Sequence, residues 1–372
     1  MKRGVYEAIA TLVGTMMGAG ILGIPYVISK SGFIIGLIHI IIIGFALLIV
    51  NLFLGEIVLR TKGNHQLTGY AEKYLGKIGK VIMTLIMMFG IYGVLIAYLI
   101  GGSKSLYALF GGNIYFHFVG YFIIMSFLVF IGLNAVKKSE FFMSIIVLFI
   151  IFLISIIGFT KLEFNNLQSV NLSYVFYPYG VVLLSFLGGM AAIPEMKEEL
   201  TNNRKNLKKA IIWGSLIPFV VYVLFAFVAV GVLGVNTSEI ATVGLSNVFG
   251  WQVNLLGNLF ALFAVSTGFL VLGLGLKEMY NYDLKLNKNL SWFLVCIFPF
   301  LFLMFFWKLT GFRNVLNVTG ALAGGLESIF IILIYFKAKK LGERKPEYQL
   351  HKNYVLGVLL IIMFFLGVIF GL

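Results

Sequence analysis

The chain has 372 residues, 60% of them hydrophobic and 11% charged, with a mean hydropathy of +1.02. Those proportions exclude a water-soluble globular domain and describe an all-α polytopic membrane protein. The formal charge of +14 raises a nucleic-acid partner, which is excluded or kept by where the basic residues fall along the chain.

A bilayer-spanning helix needs about 20 mostly apolar residues, and eleven such runs follow one another at 5–30, 33–59, 80–109, 115–135, 140–160, 174–200, 208–234, 251–280, 290–308, 314–336 and 353–371. The first begins after Met1, Lys2 and Arg3 and carries no small-residue cleavage pattern, so it is expected to be retained. It is interrupted by GAGILGIP at 18–25, which places Gly20 and Pro25 inside the apolar run. The second span holds His39, expected to pack at lipid depth, and Glu56 near one end. The third carries Tyr92 and Tyr98, and the fifth has no lysine before Lys161. The sixth repeats the interruption as LGGMAAIP at 187–194, with Gly189 and Pro194 at the matching places and Glu195 following. Ser266 and Thr267 are adjacent in the middle of the eighth span. Cys296, the single cysteine, sits in the ninth, which rules out an internal disulfide and fits a small apolar packing residue. Glu327 lies near the middle of the tenth.

With a cytoplasmic N-terminus, 23 of the 28 basic residues fall on the cytoplasmic side and five (Lys30, Lys104, Lys161, Lys308 and Arg313) on the other. This is the positive-inside pattern for an N-in, C-out protein. The charge therefore orients the chain, and nucleic acid drops out. The two interrupted spans are the first and the sixth, one five-span unit apart. Because five is odd, a second copy would enter from the opposite face. The expected organisation is a single transmembrane domain over 1–372, with inverted repeats at about 5–160 and 174–336 and an additional helix at 353–371.

Interrupted helices in lipid need their freed backbone groups to line a protein-enclosed cavity. The second half of span 1 would point a helix N-terminus, with its partial positive charge and unpaired N–H groups, at the membrane centre around Gly18, Ala19, Gly20 and Ile21. The first half of span 6 would offer carbonyls at Phe186 to Gly188. Two such ends suit a zwitterion, which argues for an α-amino acid. Its side chain is expected between Gly189, Met190 and the third span near Tyr92 and Tyr98. An acid within the bilayer is a functional candidate by default, which singles out Glu327 as a proton carrier or a structural hydrogen-bonding group. Glu56 and Glu195 read better as interfacial gate or packing residues.

The stretch GTMMGAGILGIPY at 14–26 resembles the first-span signature of the amino acid/auxin permease group, and is similar to the prokaryotic tryptophan/tyrosine and serine permeases of the amino acid–polyamine–organocation superfamily. The likeness extends to SFLGGMAAIPE at 185–195 and FALFAVSTGFLVLGLGLKE at 260–278. It implies the LeuT-type five-plus-five fold, with broken helices 1 and 6, in an ion-coupled amino acid symporter of the cell membrane. By the same resemblance, Ser266 and Thr267 with carbonyls near Gly14, Met17 and Phe263 would form a sodium site, although such hydroxyls also bond back to the preceding helical turn. Proton-coupled relatives place a fifth-span lysine there, which this chain lacks. The resemblance also suggests an inner latch between Lys2 or Arg3 and Glu278 or Asp283, for which Arg3 with Asp283 is the candidate gate pair. The expected coupling ion is Na⁺ or H⁺, with no cofactor. The expected partners are the amino acid and the lipid bilayer.

Three other classes compete. A membrane transferase needs acidic clusters or intramembrane His/Asp/Glu sets, whereas the 14 acids here lie mostly at the membrane edge. A channel needs an axial path or an oligomeric filter. An amino acid sensor with transporter architecture has the same spans, but the termini leave no room for a signalling domain. Gly188 and Gly189 leave space for a bulky side chain and the resemblance includes aromatic permeases, so large neutral or aromatic amino acids are the first expectation. Serine or threonine come second.

Overall fold

The computed structural model describes residues 3–131, 133–201, 203–307 and 310–371, with the backbone alone at Arg3, 133–144, Tyr282 and Asp283. A chain this apolar must satisfy its own backbone in lipid, and it does so with helices. They are α1 (Arg3–Met16), α2 (Gly20–Ser31), α3 (Phe33–Arg60), α4 (Leu67–Phe110), α5 (Ile114–Ile131), α6 (Leu133–Phe159), α7 (Tyr179–Glu199), α8 (Leu207–Leu233), α9 (Ala241–Phe249), α10 (Trp251–Glu278), α11 (Lys288–Phe306), α12 (Phe312–Thr319), α13 (Gly325–Leu341) and α14 (Tyr354–Phe370). Among the described residues eight helices or helix pairs are long and apolar enough to cross a membrane. The pair α1 and α2, bent by 51°, makes a ninth when counted as one broken span, and Ile145–Phe159 and Tyr354–Phe370 are shorter apolar helices at the expected fifth and eleventh spans.

Three departures from the expected elements have local causes. The third span begins earlier, at Leu67, because Gly76 adopts φ +78° and turns a preceding helical stretch into α4. The expected tenth span is α12 and α13 joined through a π-helical turn at Gly320–Gly324, and α10 ends in a second π turn at Met279–Asp283. Helix α9 occupies the connector between the seventh and eighth spans.

The largest departure concerns the matched interruptions. The first is real: the helix stops at Met16, the Gly18 N–H turns back to the Met16 carbonyl, and a new helix starts at Gly20. The second is not, since α7 runs unbroken from Tyr179 to Glu199 through Gly188, Gly189 and Pro194. A proline inside a helix removes one N–H, freeing a single carbonyl four residues back, and one lost bond does not unwind a helix held on every side. The glycines of α7 serve contact instead. A Cβ on Gly188 would collide with the Thr15 carbonyl, and one on Gly189 would meet Leu12 at 2.8 Å and Asn51 Nδ2 at 3.0 Å. They let α1 and α3 lie directly on α7, as small residues do between membrane helices.

Tyr222 of α8, wholly buried, fastens this junction by donating to both the Met16 carbonyl (2.6 Å) and the Ser185 carbonyl (2.9 Å). Tyr222→Phe is expected to lower stability by about 1–2 kcal/mol, read as a lower unfolding temperature of the solubilised protein.

The connector after α13 folds back over the end of α3. The Arg60 carbonyl accepts from the N–H groups of Glu343 and Arg344, and Tyr348 donates to the Leu52 carbonyl at 2.7 Å. The Lys73 ammonium and the Lys62 N–H hold the Glu343 carboxyl below its usual range. A carboxyl depressed by folding contributes stability above its unfolded pKa and loses it as pH falls through the folded value, so this attachment weakens only in acid.

Candidate functional site

A cavity of about 90 Å³ lies against the α1–α2 break, walled by that break, α4, α7, one residue of α10 and the α12–α13 span. Its composition follows from which helix faces converge there: glycines and aliphatic side chains, a few hydroxyls, and one carboxyl group, that of Glu327.

Gly18, Ala19 and Gly20 line it, as do Gly188, Tyr98 and Glu327. The start of α2 leaves its first N–H groups without intrahelical partners, so the break presents donors and a positive helix end to the cavity. Gly20 has to be glycine, because a Cβ there would overlap the Ser185 hydroxyl and lie 2.7 Å from Ser185 Cα. Tyr98 reaches from α4 into the gap between the break and α10: its hydroxyl occupies the space that a Cβ on either Gly18 or Gly268 would need, and it bonds to the Ala19 backbone.

The other expected contributors stand elsewhere. Ile21 is fully buried behind the α2 N-terminus. Phe186 turns toward α8, its ring edge-on to Tyr222 at 5.0 Å. Its carbonyl and those of Leu187 and Gly188 lie within a continuous helix, so the negative half-helix end expected there is absent. Gly189 faces α1 and α3, and Met190 is buried at 1% exposure. Tyr92 donates to or accepts from Tyr280 at 2.7 Å and donates to the Leu294 carbonyl, on a separate groove between α4, α11 and α12. Tyr92 and Tyr98 are six residues apart, and at 3.6 residues per turn they point to different faces.

The hydroxyls of the expected sodium site are already engaged. Thr267 donates to the Phe263 and Ala264 carbonyls at 2.9 and 3.1 Å, the back-bond of a helical threonine, and Ser266 pairs with Tyr121 at 3.0 Å. Gly14 lies within α1, and Met17 is buried in the break, its N–H bonded to Val13. The side chains of Arg3 and Asp283, the expected gate pair, lie outside the described residues.

Two charged residues noted in the sequence have structural surroundings. His39 bonds to the Ile35 carbonyl on the groove between α3 and α14. Glu56, with no exposed side-chain surface, is bound by Arg60 (2.8 Å), Lys339 (2.7 Å) and the Leu350 N–H (2.7 Å). Glu327 differs from both: among the described residues its carboxyl has no hydrogen-bond or ion-pair partner, and it faces the cavity.

A family model described as the tryptophan/tyrosine permease family matches residues 1–371. The tyrosine-specific transport system 1 of Haemophilus influenzae is 26% identical over 386 residues, covering 96% of this chain and 93% of that protein. Glutamine transporter 2 of Aliivibrio fischeri is 25% identical over 320 residues, covering 81% of each. Among solved structures, a mutant of the manganese transporter of Eremococcus coleocola superposes with a TM-score of 0.72 at 14% identity, covering 98% of this chain and 85% of that one. MhsT in complex with L-phenylalanine superposes with a TM-score of 0.67 at 13% identity, covering 99% and 98%. These structural likenesses show a LeuT-type, all-helical fold.

Proposed function

The chain belongs to the tryptophan/tyrosine permease family and is a multi-pass amino acid transporter of the cell membrane, and from that premise we propose that the cavity at the α1–α2 break is its substrate site. The observation that carries the reading is the convergence, in one cavity, of the N–H groups at the start of α2 with Glu327, a carboxyl without a partner among the described residues. A substrate carboxylate would sit on the N–H groups at Ala19 to Ile21, where glycine allows close approach. Its ammonium would face the C-terminal carbonyls of α1, Thr15 among them, which take the place of the expected broken end of α7. The substrates are neutral amino acids, aromatic ones first.

The proposed topology is eleven spans, N-in and C-out, supported by the 23-to-5 division of basic residues. The two five-span repeats and the additional helix at 353–371 remain part of this reading. Coupling is assigned to a proton on Glu327, whose carboxyl has no partner among the described residues; the hydrogen-bonded Ser266 and Thr267 oxygens keep lone pairs that can ligate Na⁺, so separate gradients decide between the two.

Uptake of labelled amino acids into liposomes, with inward Na⁺ and H⁺ gradients imposed separately, tests the reading. The expected result is accumulation driven by the proton gradient, retained in Thr267→Ala and lost in Glu327→Gln. Stimulation by Na⁺ alone, abolished in Thr267→Ala, would move the coupling site to α10. No uptake under either gradient would favour a sensor over a carrier.

A further inference from the structure

The C-terminal end of α7, cytoplasmic in the proposed orientation, gathers more positive charge than its neighbours neutralise. In the last turn of α7, Lys197 is 3% exposed and donates to the Gly63 carbonyl at 2.6 Å and the Thr61 carbonyl at 3.4 Å. Two guanidinium groups lie within electrostatic range of that ammonium: Arg204, from the turn between α7 and α8, and Arg344, from the connector after α13. The carboxylates in the same range are Glu198 and Glu347, and Glu347 is already paired with Arg344 Nη2 at 2.6 Å. Three cations thus face two carboxylates. No acid lies between Glu199 and the end of α8, whereas Lys205, Lys208 and Lys209 follow Arg204, and Lys345 follows Arg344.

Both guanidinium groups have a donor that the protein leaves unanswered. Arg204 Nε and Arg344 Nη1 are shielded from solvent, and among the described residues neither has a hydrogen-bond partner. A buried N–H of a charged group without an acceptor is costly, and the nearby ammonium adds like-charge repulsion. The segments that carry the two arginines are held by their own backbone bonds. The Asn203 N–H donates to the Leu200 carbonyl at 2.7 Å and the Asn206 N–H to the Asn203 carbonyl at 3.0 Å, while the Arg344 N–H is fixed on the Arg60 carbonyl. The Arg344 side chain is 27% exposed, which leaves the cluster open toward the aqueous face.

We propose that Lys197, Arg204 and Arg344 form a binding site for a phosphate oxyanion, either the headgroup phosphate of an anionic phospholipid or free inorganic phosphate. The donor set dictates this chemistry. Guanidinium donors are planar forks that match phosphate oxygens in pairs, and an ammonium supplies a point charge beside them. Cations arriving from three chain segments need several acceptor oxygens around one centre, which a phosphate has and a carboxylate lacks. The cytoplasmic leaflet presents anionic phosphates at this depth. Lys197 is bonded to the α3–α4 loop, so an anion held here would fasten that loop, the α7–α8 turn and the α13 connector together. The site is separate from the cavity at the α1–α2 break and does not depend on what that cavity holds.

The test is the unfolding temperature of the purified protein in a neutral detergent, titrated separately with dioctanoyl phosphatidylglycerol and with inorganic phosphate. Dioctanoylglycerol and sodium chloride at equal ionic strength are the matched controls. A saturable rise with phosphatidylglycerol alone would assign the site to lipid headgroups, and one with inorganic phosphate as well would assign it to free phosphate. Either supports the proposal when neither control reproduces it. Arg204→Gln is expected to weaken the apparent affinity by about tenfold or more, Arg204→Lys to keep part of it, and Lys345→Gln to leave it within error. Arg344→Gln would also release Glu347, so Arg204 is the position to read, each variant being measured from its own baseline without anion. A rise reproduced by either control, no rise with either phosphate compound, a rise undiminished in Arg204→Gln, or an equal loss in Lys345→Gln would overturn the proposal.

Discussion

Gly20→Ala is expected to reduce transport by about 10²-fold or more, while Gly120→Ala, a matched change on α5, leaves it within experimental error. The built Cβ at Gly20 overlaps the Ser185 hydroxyl and approaches Ser185 Cα to 2.7 Å, whereas nothing lies within 4 Å of the same atom at Gly120. The hydroxyl can rotate away, but the α7 backbone cannot, because Tyr222 ties the Ser185 carbonyl to the Met16 carbonyl. Helix α2 must therefore shift relative to α7, and the N–H groups at its start move with it. A displacement of about 1 Å in a positioning element costs on the order of 10²-fold in rate. Initial rates of labelled amino acid uptake, normalised to protein reconstituted, check the comparison. Full activity in Gly20→Ala would mean that the break is not where substrate is held.

Glu56→Ala is the substitution with the largest expected cost in stability, about 3–5 kcal/mol. Its carboxylate is completely buried and binds Arg60 of its own helix, Lys339 of α13 and the backbone of Leu350. Removing it leaves Lys339, whose side chain is 9% exposed, and Arg60, 13% exposed, facing each other without a counter-charge. Lys339 keeps its bond to the Leu350 carbonyl, but neither cation has more than a small part of its side chain in solvent. Thermal unfolding in detergent checks the loss, and Glu56→Gln is expected to fall between the wild type and Glu56→Ala because it keeps an acceptor for the Leu350 N–H. An unchanged unfolding temperature would mean that the cluster is solvated.

Much of the architecture was legible in the chain because the transfer of a helix into lipid depends on local composition. The apolar runs mark where helices form, and the break after Met16 is visible as glycine on both sides of Ala19 in a stretch that must otherwise stay helical. Where the reading went wrong, local signals had two meanings. Gly189 and Pro194 match Gly20 and Pro25 in spacing, yet in α7 the glycines accommodate α1 and α3 rather than unwinding the helix. Ser266 and Thr267 have the right atoms for an ion, and their bonds to Tyr121 and to the Phe263 carbonyl leave oxygen lone pairs for one, so the sodium expectation is left to the gradient experiment. Tyr98 and Tyr92 are alike in sequence, and only the rotation of α4 sends one to the cavity and the other to Tyr280.

The sequence by itself determined a many-span helical membrane protein, the interrupted first span, and a carboxyl, Glu327, near the middle of the tenth. These follow from hydropathy and from backbone preferences, which act over a few neighbouring residues. Only the tertiary structure decided that α7 is continuous, that Glu327 shares one cavity with the α2 N-terminus, and that Glu56 is neutralised by Lys339 from the far end of the chain. Such pairings depend on which helix faces meet and at what depth, and those are set by the packing of whole helices against one another.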